Sequence, residues 1–362
     1  MVLAVGLSGG VDSSVAALLL KERWPRLVGV THLIWPDSRC CSVEVLSRAR
    51  SICLRLGIPY VQVDLHDRFR ETVVDDFVRS YLEGRTPNPC VNCNAFVRFD
   101  VFYDRLRERL PREGLLEEGE ELFLSTGHYA RITRRGEEVC LEKGLDPLKD
   151  QSYMLYRVRR EMLPRMVLPL GEYHKAEVVE IAEANGLQYR AVKESQDACF
   201  VEGSYAEFIR RYTGREELLE PGEIVDPEGK VLGTHPGTIH YTVGQRRGLG
   251  LGSGPWYVAR IDKDSNRVVV ARREEAEARQ FRIDRTNWLV EPPADALACT
   301  VKIRYQIDEI PCRVEPNGGG CRVLLERPEI VTPGQSAVFY DGSRVLGGGV
   351  ILQPDRGTAI QE

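Results

Sequence analysis

A short loop near the N-terminus constrains this chain more than any other feature. Residues 6–14 read Gly-Leu-Ser-Gly-Gly-Val-Asp-Ser-Ser, between the apolar run Val2–Val5 and the apolar start of a helix at Val15–Leu20. Small residues let backbone N–H groups approach an anion, and a helix N-terminus carries a partial positive charge. The loop lacks the Gly-Lys-Ser/Thr of P-loops and the G-x-G-x-x-G spacing of dinucleotide folds. It therefore predicts a phosphate site of a different class, between a buried strand and a helix.

Apolar runs alternate with helical stretches throughout residues 1–125. This alternation is typical of an α/β fold with a doubly wound parallel sheet, in which ligands bind at the carboxyl ends of the strands. The predicted strands are Val2–Val5, Leu27–Leu33, Tyr60–Val63 and Leu122–Ser125, and the predicted helices are Ser13–Arg23, Val43–Leu56 and Arg68–Leu82.

The rest of the chain changes from helical to β-rich. Beyond Gly214, turns rich in Gly, Pro and Asp separate short runs of Val, Ile and Tyr, a pattern typical of all-β structure. With a break near 275–285, we predict a catalytic α/β domain over 1–212, a central β-rich domain over 213–276 and a C-terminal β-barrel over 277–362. The predicted helices are Ser152–Arg159, Lys175–Asn185 and Tyr205–Tyr212, and the predicted strands are Gly222–Asp226, Trp256–Ile261, Arg267–Ala271, Leu297–Tyr305, Cys321–Leu325, Ser336–Tyr340 and Val345–Leu352.

Composition narrows the class of protein. A chain of 362 residues is too long for one ordinary core, and 43% hydrophobic with 28% charged residues is typical of a soluble globular protein. No apolar run approaches the ~18 residues of a membrane helix, and no signal peptide is evident, so we expect a cytoplasmic protein. The net charge of −5 argues only weakly against nucleic acid, because local patches bind phosphates.

Ten cysteines in a cytoplasmic chain indicate catalysis, metal binding or redox chemistry. Residues 84–99 contain Cys90 and Cys93 behind two closely spaced prolines, which predicts a loop, with a helix starting after Asn94. A C-x-x-C on such a loop suits a redox pair, half a zinc site or part of an iron–sulfur site. Cys199, at the end of a polar run, is the best candidate for a further partner. We interpret Cys53, Cys140, Cys299, Cys312 and Cys321 as small buried hydrophobes and leave Cys40 and Cys41 unassigned.

Three further polar segments could contact a ligand. His128 follows the strand ending at Ser125, so it belongs at the carboxyl edge of the sheet. Asp150–Tyr153 could be a helix N-cap, and Gly244–Gly248 is a basic turn that suits either an RNA backbone or an exposed hairpin.

Taken together, these motifs resemble the bacterial tRNA-specific 2-thiouridylases from nearly one end of the chain to the other. The resemblance implies an adenine nucleotide α-hydrolase-like domain, a small central β-rich domain and a C-terminal β-barrel. It also implies ATP-dependent transfer of sulfur to C2 of the wobble uridine in tRNAs for Lys, Glu and Gln. The motifs that carry it occur in the family's order: Ser8–Ser13, Gly84–Phe99, Thr126–Ala130, Lys149–Tyr153, Glu194–Phe200, Gly244–Leu251 and Val331–Tyr340.

The resemblance also assigns residues to roles. It implies that Cys199 carries a persulfide, that Cys93 is its catalytic partner and that Asp12 is a further catalytic residue, with ATP and Mg²⁺ as cofactors. The expected partners are the anticodon region of tRNA and a sulfur donor, either a cysteine desulfurase or a relay protein. The implied ATP-binding residues are Gly6, Leu7, Ser8, Gly9, Gly10, Val11, Asp12, Ser13, His32 and Gly127. The implied tRNA-binding residues are Asn88, Pro89, Cys90, His128, Lys149, Asp150, Gln151, Arg304, Tyr305 and Gln335.

The chain departs from the family pattern at a few positions. Ala95 and Arg98 stand where many relatives carry Lys, and His32 stands where Met or Leu usually faces the adenine. Cys90 replaces an Asp of some relatives, so Cys90, Cys93 and Cys199 could instead hold three irons of a [4Fe–4S] cluster that accepts sulfide on the fourth. Two other functions stay open at this point: an adenylating amidotransferase or ligase with the same loop, and a non-catalytic RNA-binding module with structural zinc.

Overall fold

The computed structural model describes residues 1–36, 42–187, 198–352 and 354. Cys40, Cys41 and the Glu194–Asp197 part of the predicted sulfur-carrier motif lie outside the described residues.

Seventeen strands and nine α-helices are assigned in the described residues. Two π-helical segments, Arg70–Val74 and Cys93–Val101, continue neighbouring α-helices. The strands are β1 (Val2–Gly6), β2 (Leu27–Leu33), β3 (Tyr60–Asp64), β4 (Leu122–Ser125), β5 (Ala130–Arg135), β6 (Glu138–Lys143), β7 (Met166–Val167), β8 (Gly222–Val225), β9 (Val231–His235), β10 (Tyr257–Asp262), β11 (Arg267–Ala271), β12 (Ala278–Trp288), β13 (Leu297–Lys302), β14 (Ile310–Asn317), β15 (Gly320–Glu329), β16 (Ser336–Asp341) and β17 (Arg344–Ile351). The helices are α1 (Val11–Lys21), α2 (Val43–Leu56), α3 (His66–Phe69), α4 (Asp75–Leu82), α5 (Pro89–Asn92), α6 (Phe102–Arg112), α7 (Lys175–Ala184), α8 (Tyr205–Thr213) and α9 (Arg273–Ala276).

The N-terminal part is built on a parallel sheet with the strand order β3-β2-β1-β4-β7. The central strand β1 is apolar along its length, and Val2–Val5 are fully buried, because helices cover both faces of the sheet. The predicted doubly wound parallel sheet is confirmed. Its carboxyl edge carries the loop after β1, the start of the segment after β2 and Thr126–His128 after β4.

The central part forms a four-stranded sheet in the order β10-β11-β8-β9. Its own apolar cluster includes Ile224, Tyr241, Val258 and Val268, which come from alternating positions of short strands and the turns between them. This is the small β-rich unit that the turn-rich sequence predicts.

Six strands, β12-β15-β14-β13-β16-β17, close into a C-terminal barrel through the pairing of β12 with β17. The predicted barrel is confirmed. Its first strand, β12, occupies most of the 275–285 stretch, for which the sequence predicted no strand. In this strand the buried Phe281 and Ile283 alternate with residues such as the exposed Arg279 and Arg282. The charged residues interrupt the apolar run by which a strand is recognised in the sequence.

A hairpin from the N-terminal part extends the same sheet. Strands β5 and β6 pair with each other, and β6 meets β17 at Glu142 and Arg344. The two parts also share a core, since Val338, Tyr340 and Val345 of the barrel lie in the main apolar cluster of the parallel-sheet domain.

Two predictions about helices are wrong. The helix expected after Asn94 already begins at Pro89, because proline is well tolerated as the first residue of a helix and Asn88 caps it by accepting from the Cys90 N–H at 3.2 Å. The helix expected over Ser152–Arg159 is one short 3-10 turn, Ser152–Met154, followed by irregular backbone. Tyr153 and Tyr156 are fully buried there, so packing on all sides overrides the helical preference.

The described helices are all too short or too polar to cross a lipid bilayer.

Candidate active site

The loop after β1 has the geometry of an anion cradle. Gly9 has a φ of +66°, and a Cβ there would lie 2.7 Å from the Val45 carbonyl oxygen, so the position requires glycine. Gly10 occupies the N-cap of α1 without a side chain to accept from the first turn, which leaves those N–H groups to face a ligand. Ser13 fixes the loop by donating to the Gly10 carbonyl at 3.0 Å and accepting from the Ser8 N–H at 3.2 Å.

The segment after β4 packs directly on this loop. A Cβ on Gly127 would lie 2.9 Å from the Ser13 nitrogen and 3.0 Å from the Asp12 carbonyl carbon. Only glycine fits between the two segments, so the structure brings Gly127 together with the loop residues predicted to bind ATP. A cradle of backbone amides beside a helix N-terminus fits the phosphates of a nucleotide.

Asp12 is held by two side chains that the sequence did not single out. Its Oδ1 accepts from the Tyr129 hydroxyl at 2.8 Å and pairs with the Lys175 Nζ at 2.6 Å. Lys175 is the first residue of α7, 163 positions along the chain from Asp12. Nothing in the local sequence around Lys175 predicts this contact, because only the packing of α7 against α1 creates it.

Two histidines and one arginine form a second polar group at the same edge. Arg98 donates to the Asn94 Oδ1 at 2.9 Å and lies 3.4 Å from the His128 Nε2. Burial and the nearby Arg98 cation lower the pKa of both His128 and His32 to about 3. Both imidazoles are therefore neutral near pH ~7.

The cysteines with predicted chemistry lie on two segments. Cys93 is buried at the start of the π-helical segment, Cys90 is exposed one turn earlier, and Cys199 is half-buried. Cys93 lies in the main apolar cluster and Cys199 packs against that cluster. The residue after Cys199 is firmly anchored, since the Phe200 ring lies 5.2 Å from Phe77 and 5.4 Å from Phe208.

The same thiols do not form a ready iron site. Within residues 1–36, 42–187 and 198–352, no three His, Cys, Asp or Glu side chains are grouped closely enough to hold a metal ion. A [4Fe–4S] cluster on Cys90, Cys93 and Cys199 does not fit this conformation, because its three ligands would have to converge.

The segments predicted to touch tRNA are joined across the domains. Thr86 connects the loop before Asn88 to the barrel, since its N–H donates to the Pro333 carbonyl at 2.9 Å and its carbonyl accepts from the Gln335 amide at 2.8 Å. The Tyr305 ring lies 5.9 Å from the buried Tyr153 ring. This arrangement brings Asn88, Pro89 and Cys90 near the barrel residue Gln335.

Other predicted tRNA residues are already engaged inside the protein. Asp150 is buried and accepts from the Gly144 and Ser152 N–H groups at 3.0 and 3.1 Å. Gln151 accepts from the Tyr129 N–H at 3.0 Å. Arg304 pairs with Glu329 at 3.3 Å. Lys149 is half-buried beside them. The contacts of Asp150 and Gln151 hold the backbone of the segment that follows β6 in place.

Known protein families match this chain over nearly its whole length. Residues 1–203 match the family described as tRNA methyl transferase HUP domain, 206–272 its PRC-barrel domain, and 278–351 the aminomethyltransferase beta-barrel domain. The tRNA-specific 2-thiouridylase MnmA of Acidithiobacillus ferrooxidans is 43% identical over 96% of this chain and 97% of its own. The chain belongs to the tRNA-specific 2-thiouridylase family. This membership confirms the resemblance that the ordered motifs carry.

Other members of the 2-thiouridylase family show the same breadth of similarity. MnmA of Chloroflexus aggregans is 43% identical over 98% of this chain and 99% of its own. The bifunctional protein NifU/MnmA of Rubrobacter xylanophilus is 45% identical over 96% of this chain, which spans 69% of that longer protein. Among solved structures, the U34-tRNA thiolase NcsA of Methanococcus maripaludis with its [4Fe-4S] cluster matches 59% of this chain and 66% of its own. Its TM-score is 0.35 and its sequence identity is 22%, so this similarity carries no argument.

Proposed function

We propose that this chain is an ATP-dependent tRNA 2-thiouridylase that adenylates the C2 oxygen of the wobble uridine and replaces it with sulfur. One observation carries the proposal: the nucleotide loop and two cysteines on a shared apolar cluster, Cys93 and Cys199, belong to one domain. An amidotransferase or ligase would need the loop but not the cysteine pair. A binding module would need neither Asp12 nor the glycines that shape the cradle.

Activation begins at the loop. A uracil carbonyl oxygen is a poor leaving group, so it attacks the α-phosphate of ATP, the bond to the β-phosphate breaks and pyrophosphate leaves. The amides of Gly9–Ser13 face the phosphates, and Lys175 supplies a positive charge beside them. Asp12 is the loop's carboxylate, and Mg²⁺ held with the nucleotide would neutralise phosphate charge there.

Sulfur transfer then uses the two cysteines. The terminal sulfur of a Cys199 persulfide attacks C2, and the C2–O bond breaks to release AMP. The Cys93 thiolate next attacks the Cys199 sulfur, which breaks the S–S bond to the base and leaves 2-thiouridine with a Cys93–Cys199 disulfide. A thiol reductant resets the pair, and a sulfur donor such as a cysteine desulfurase or a relay protein reloads Cys199.

The tRNA would approach where the two domains meet. Asn88, Pro89 and Cys90 lie next to the barrel through the Thr86–Gln335 contact, so an extruded base reaches the helix of Cys93 while the anticodon region rests on the barrel. A single-stranded loop permits extrusion at a modest cost. We propose His128, Lys149–Gln151, Arg304 and Tyr305 as the remaining tRNA-contacting positions.

Reconstitution tests this function directly. Purified chain, unmodified tRNA, ATP, Mg²⁺, a thiol reductant and a cysteine desulfurase with L-cysteine as the source of sulfane sulfur should yield 2-thiouridine by nucleoside mass spectrometry, with AMP and pyrophosphate released only when tRNA is present. Cys93→Ser and Cys199→Ser should each abolish thiolation but retain tRNA-dependent release of pyrophosphate. Cys140→Ala, at a buried cysteine of β6, is the matched control and should thiolate normally.

Two results would contradict parts of this proposal. Thiolation retained in both serine variants would refute the cysteine assignment. Activity that requires iron and a visible-absorbing centre after anaerobic purification would favour the cluster route, whereas full activity of iron-free protein supports the persulfide route.

A further inference from the structure

Arg98 is a cation with neutral partners. Its guanidinium donates to the amide oxygen of Asn94 and contacts the ring of His128, and within the described part of the chain no carboxylate lies at ion-pair distance from it. Arg98 is half-buried, whereas Asn94 and His128 are only 3% and 9% exposed. A half-buried guanidinium that is oriented but not neutralised is suited to an anionic ligand.

The His128 ring is fixed in one state by these contacts. Guanidinium groups only donate, so the His128 Nε2 must accept from Arg98, and the proton lies on Nδ1. That Nδ1–H donates to the Thr126 hydroxyl at 2.7 Å. Both ring nitrogens are thus used inside the protein, and His128 orients Arg98 without adding a second positive charge.

Arg98 is also connected to both parts of the proposed site, the nucleotide loop and Cys93. Its partner His128 follows Gly127, the residue that packs on Asp12 and Ser13 of the nucleotide loop. Along its own helix, Arg98 comes five residues after Cys93 within a π-helical segment. An α-helix would place position i+5 about 140° away, whereas a π-helix bonds residue i to i+5 and returns it to the same side.

We propose that Arg98 binds the α-phosphate of the nucleotide and so holds the adenylated uridine beside Cys93. This inference rests on the proposed function, because it assigns a residue to the adenylate formed there. The phosphate that joins AMP to the base stays anionic after pyrophosphate leaves. Arg98 lies on the helical segment that carries Cys93 and contacts His128, the residue after the Gly127 that packs on the nucleotide loop.

AMP and adenosine are the probes that test this role, since they differ only in the α-phosphate. Arg98→Gln should weaken AMP binding by roughly ten- to a hundredfold in calorimetry, the range of a charge-assisted hydrogen bond, and leave adenosine binding unchanged. Arg98→Lys should recover most of the loss. Arg105→Gln, on the exposed side of α6, is the matched control and should bind both as the parent chain does.

A second variant tests the same idea while Arg98 stays in place. Asn94→Asp keeps the side-chain volume but sets a carboxylate against the guanidinium, so it should also weaken AMP selectively. Equal AMP affinity in Arg98→Gln and the parent chain, or in Asn94→Asp and the parent chain, would overturn the proposal. So would a loss confined to tRNA binding, which would assign Arg98 to the RNA backbone. If the parent chain made no 2-thiouridine but Arg98→Gln still lost AMP selectively, only the proposed function would fail.

Discussion

At the scale of single residues, position in the fold separates cysteines that look alike in the sequence. Burial raises the pKa of Cys53 to about 12 and that of Cys321 to about 11, so both stay protonated and unreactive. Cys299 and Cys312 were interpreted from the sequence as separate small hydrophobes, yet they face each other across β13 and β14 with their Sγ atoms 3.7 Å apart. Among the described cysteines, Cys90, Cys93 and Cys199 stay the candidates for the reactive chemistry.

Lys175 carries the first prediction. Lys175→Gln removes the cation beside Asp12, so we expect tRNA-dependent pyrophosphate release to fall by about tenfold or more, because phosphate charge is no longer balanced there. The release rate at saturating ATP and tRNA measures it. Lys21→Gln, in the last turn of the same helix that carries Asp12, serves as the control. An unchanged rate in Lys175→Gln would remove Lys175 from the activation step.

His128 carries a prediction on pH. Its pKa is lowered to about 3 in the fold, whereas an unfolded histidine titrates near ~6.5. Between those values the unfolded chain binds a proton that the folded chain does not, so stability falls as the pH falls. We expect His128 to account for about 2 kcal/mol of the free energy of unfolding lost between about pH 8 and 5.

Urea unfolding at several pH values measures this effect by comparison with His128→Gln. The variant should lose less stability on acidification than the parent chain. Parallel curves for the two proteins would show that His128 is protonated in the folded state.

At the scale of elements, the predictable parts of the fold are those whose signals are local. The strands of the parallel sheet are short apolar runs, and α2 has Ser42 at its N-cap and Gly57 in the left-handed conformation at its end. The sequence therefore predicts Val43–Leu56 correctly. It fails at Ser152–Arg159 and at β12, where packing against another domain or strand decides the backbone. The candidate site is only partly predictable for the same reason. The glycines of the loop can be recognised in the sequence, whereas the Asp12–Lys175 pair depends on how distant elements pack.

The short helix α5 carries a prediction at this scale. Asn88→Ala removes the cap on the helix that leads to Cys93, which should cost about 1 kcal/mol of folding stability. It should also lower thiolation, because the helix start sets where Cys90 and Cys93 lie. Asn88→Asp keeps a capping oxygen and should restore stability, as measured by chemical denaturation. Equal loss of stability in both variants would mean that the cap is not the cause.

At the scale of the whole molecule, the barrel completes the core of the parallel-sheet domain. The Tyr153 hydroxyl donates to the Ser336 carbonyl at 2.8 Å, and the Asn287 amide donates to the Tyr156 carbonyl at 2.7 Å. A Cβ on Gly348 would lie 2.8 Å from the Tyr156 ring, so the barrel approaches it closely. The domain limits 1–212, 213–276 and 277–362 stay a prediction about the sequence, and they do not define three independent cores.

Removal of the barrel is the corresponding prediction. A chain ending at residue 277 should expose Tyr153 and Tyr156, which are fully buried in the complete protein, and should aggregate or bind a hydrophobic dye. The complete chain should unfold with the parallel-sheet domain and barrel in one calorimetric transition. A truncated chain that stays monomeric and melts like the parent would show that the shared core is dispensable.

The pairing of β6 with β17 can form only late in synthesis of the chain. The hairpin Ala130–Lys143 leaves the ribosome long before Arg344–Ile351, the strand beside it, has been translated. Val338, Tyr340 and Val345, which fill the main core, are also translated late. Part of the apolar interior of the parallel-sheet domain therefore stays exposed to solvent until β17 has been translated and has paired. A growing chain of this kind depends on protection from aggregation for most of its elongation.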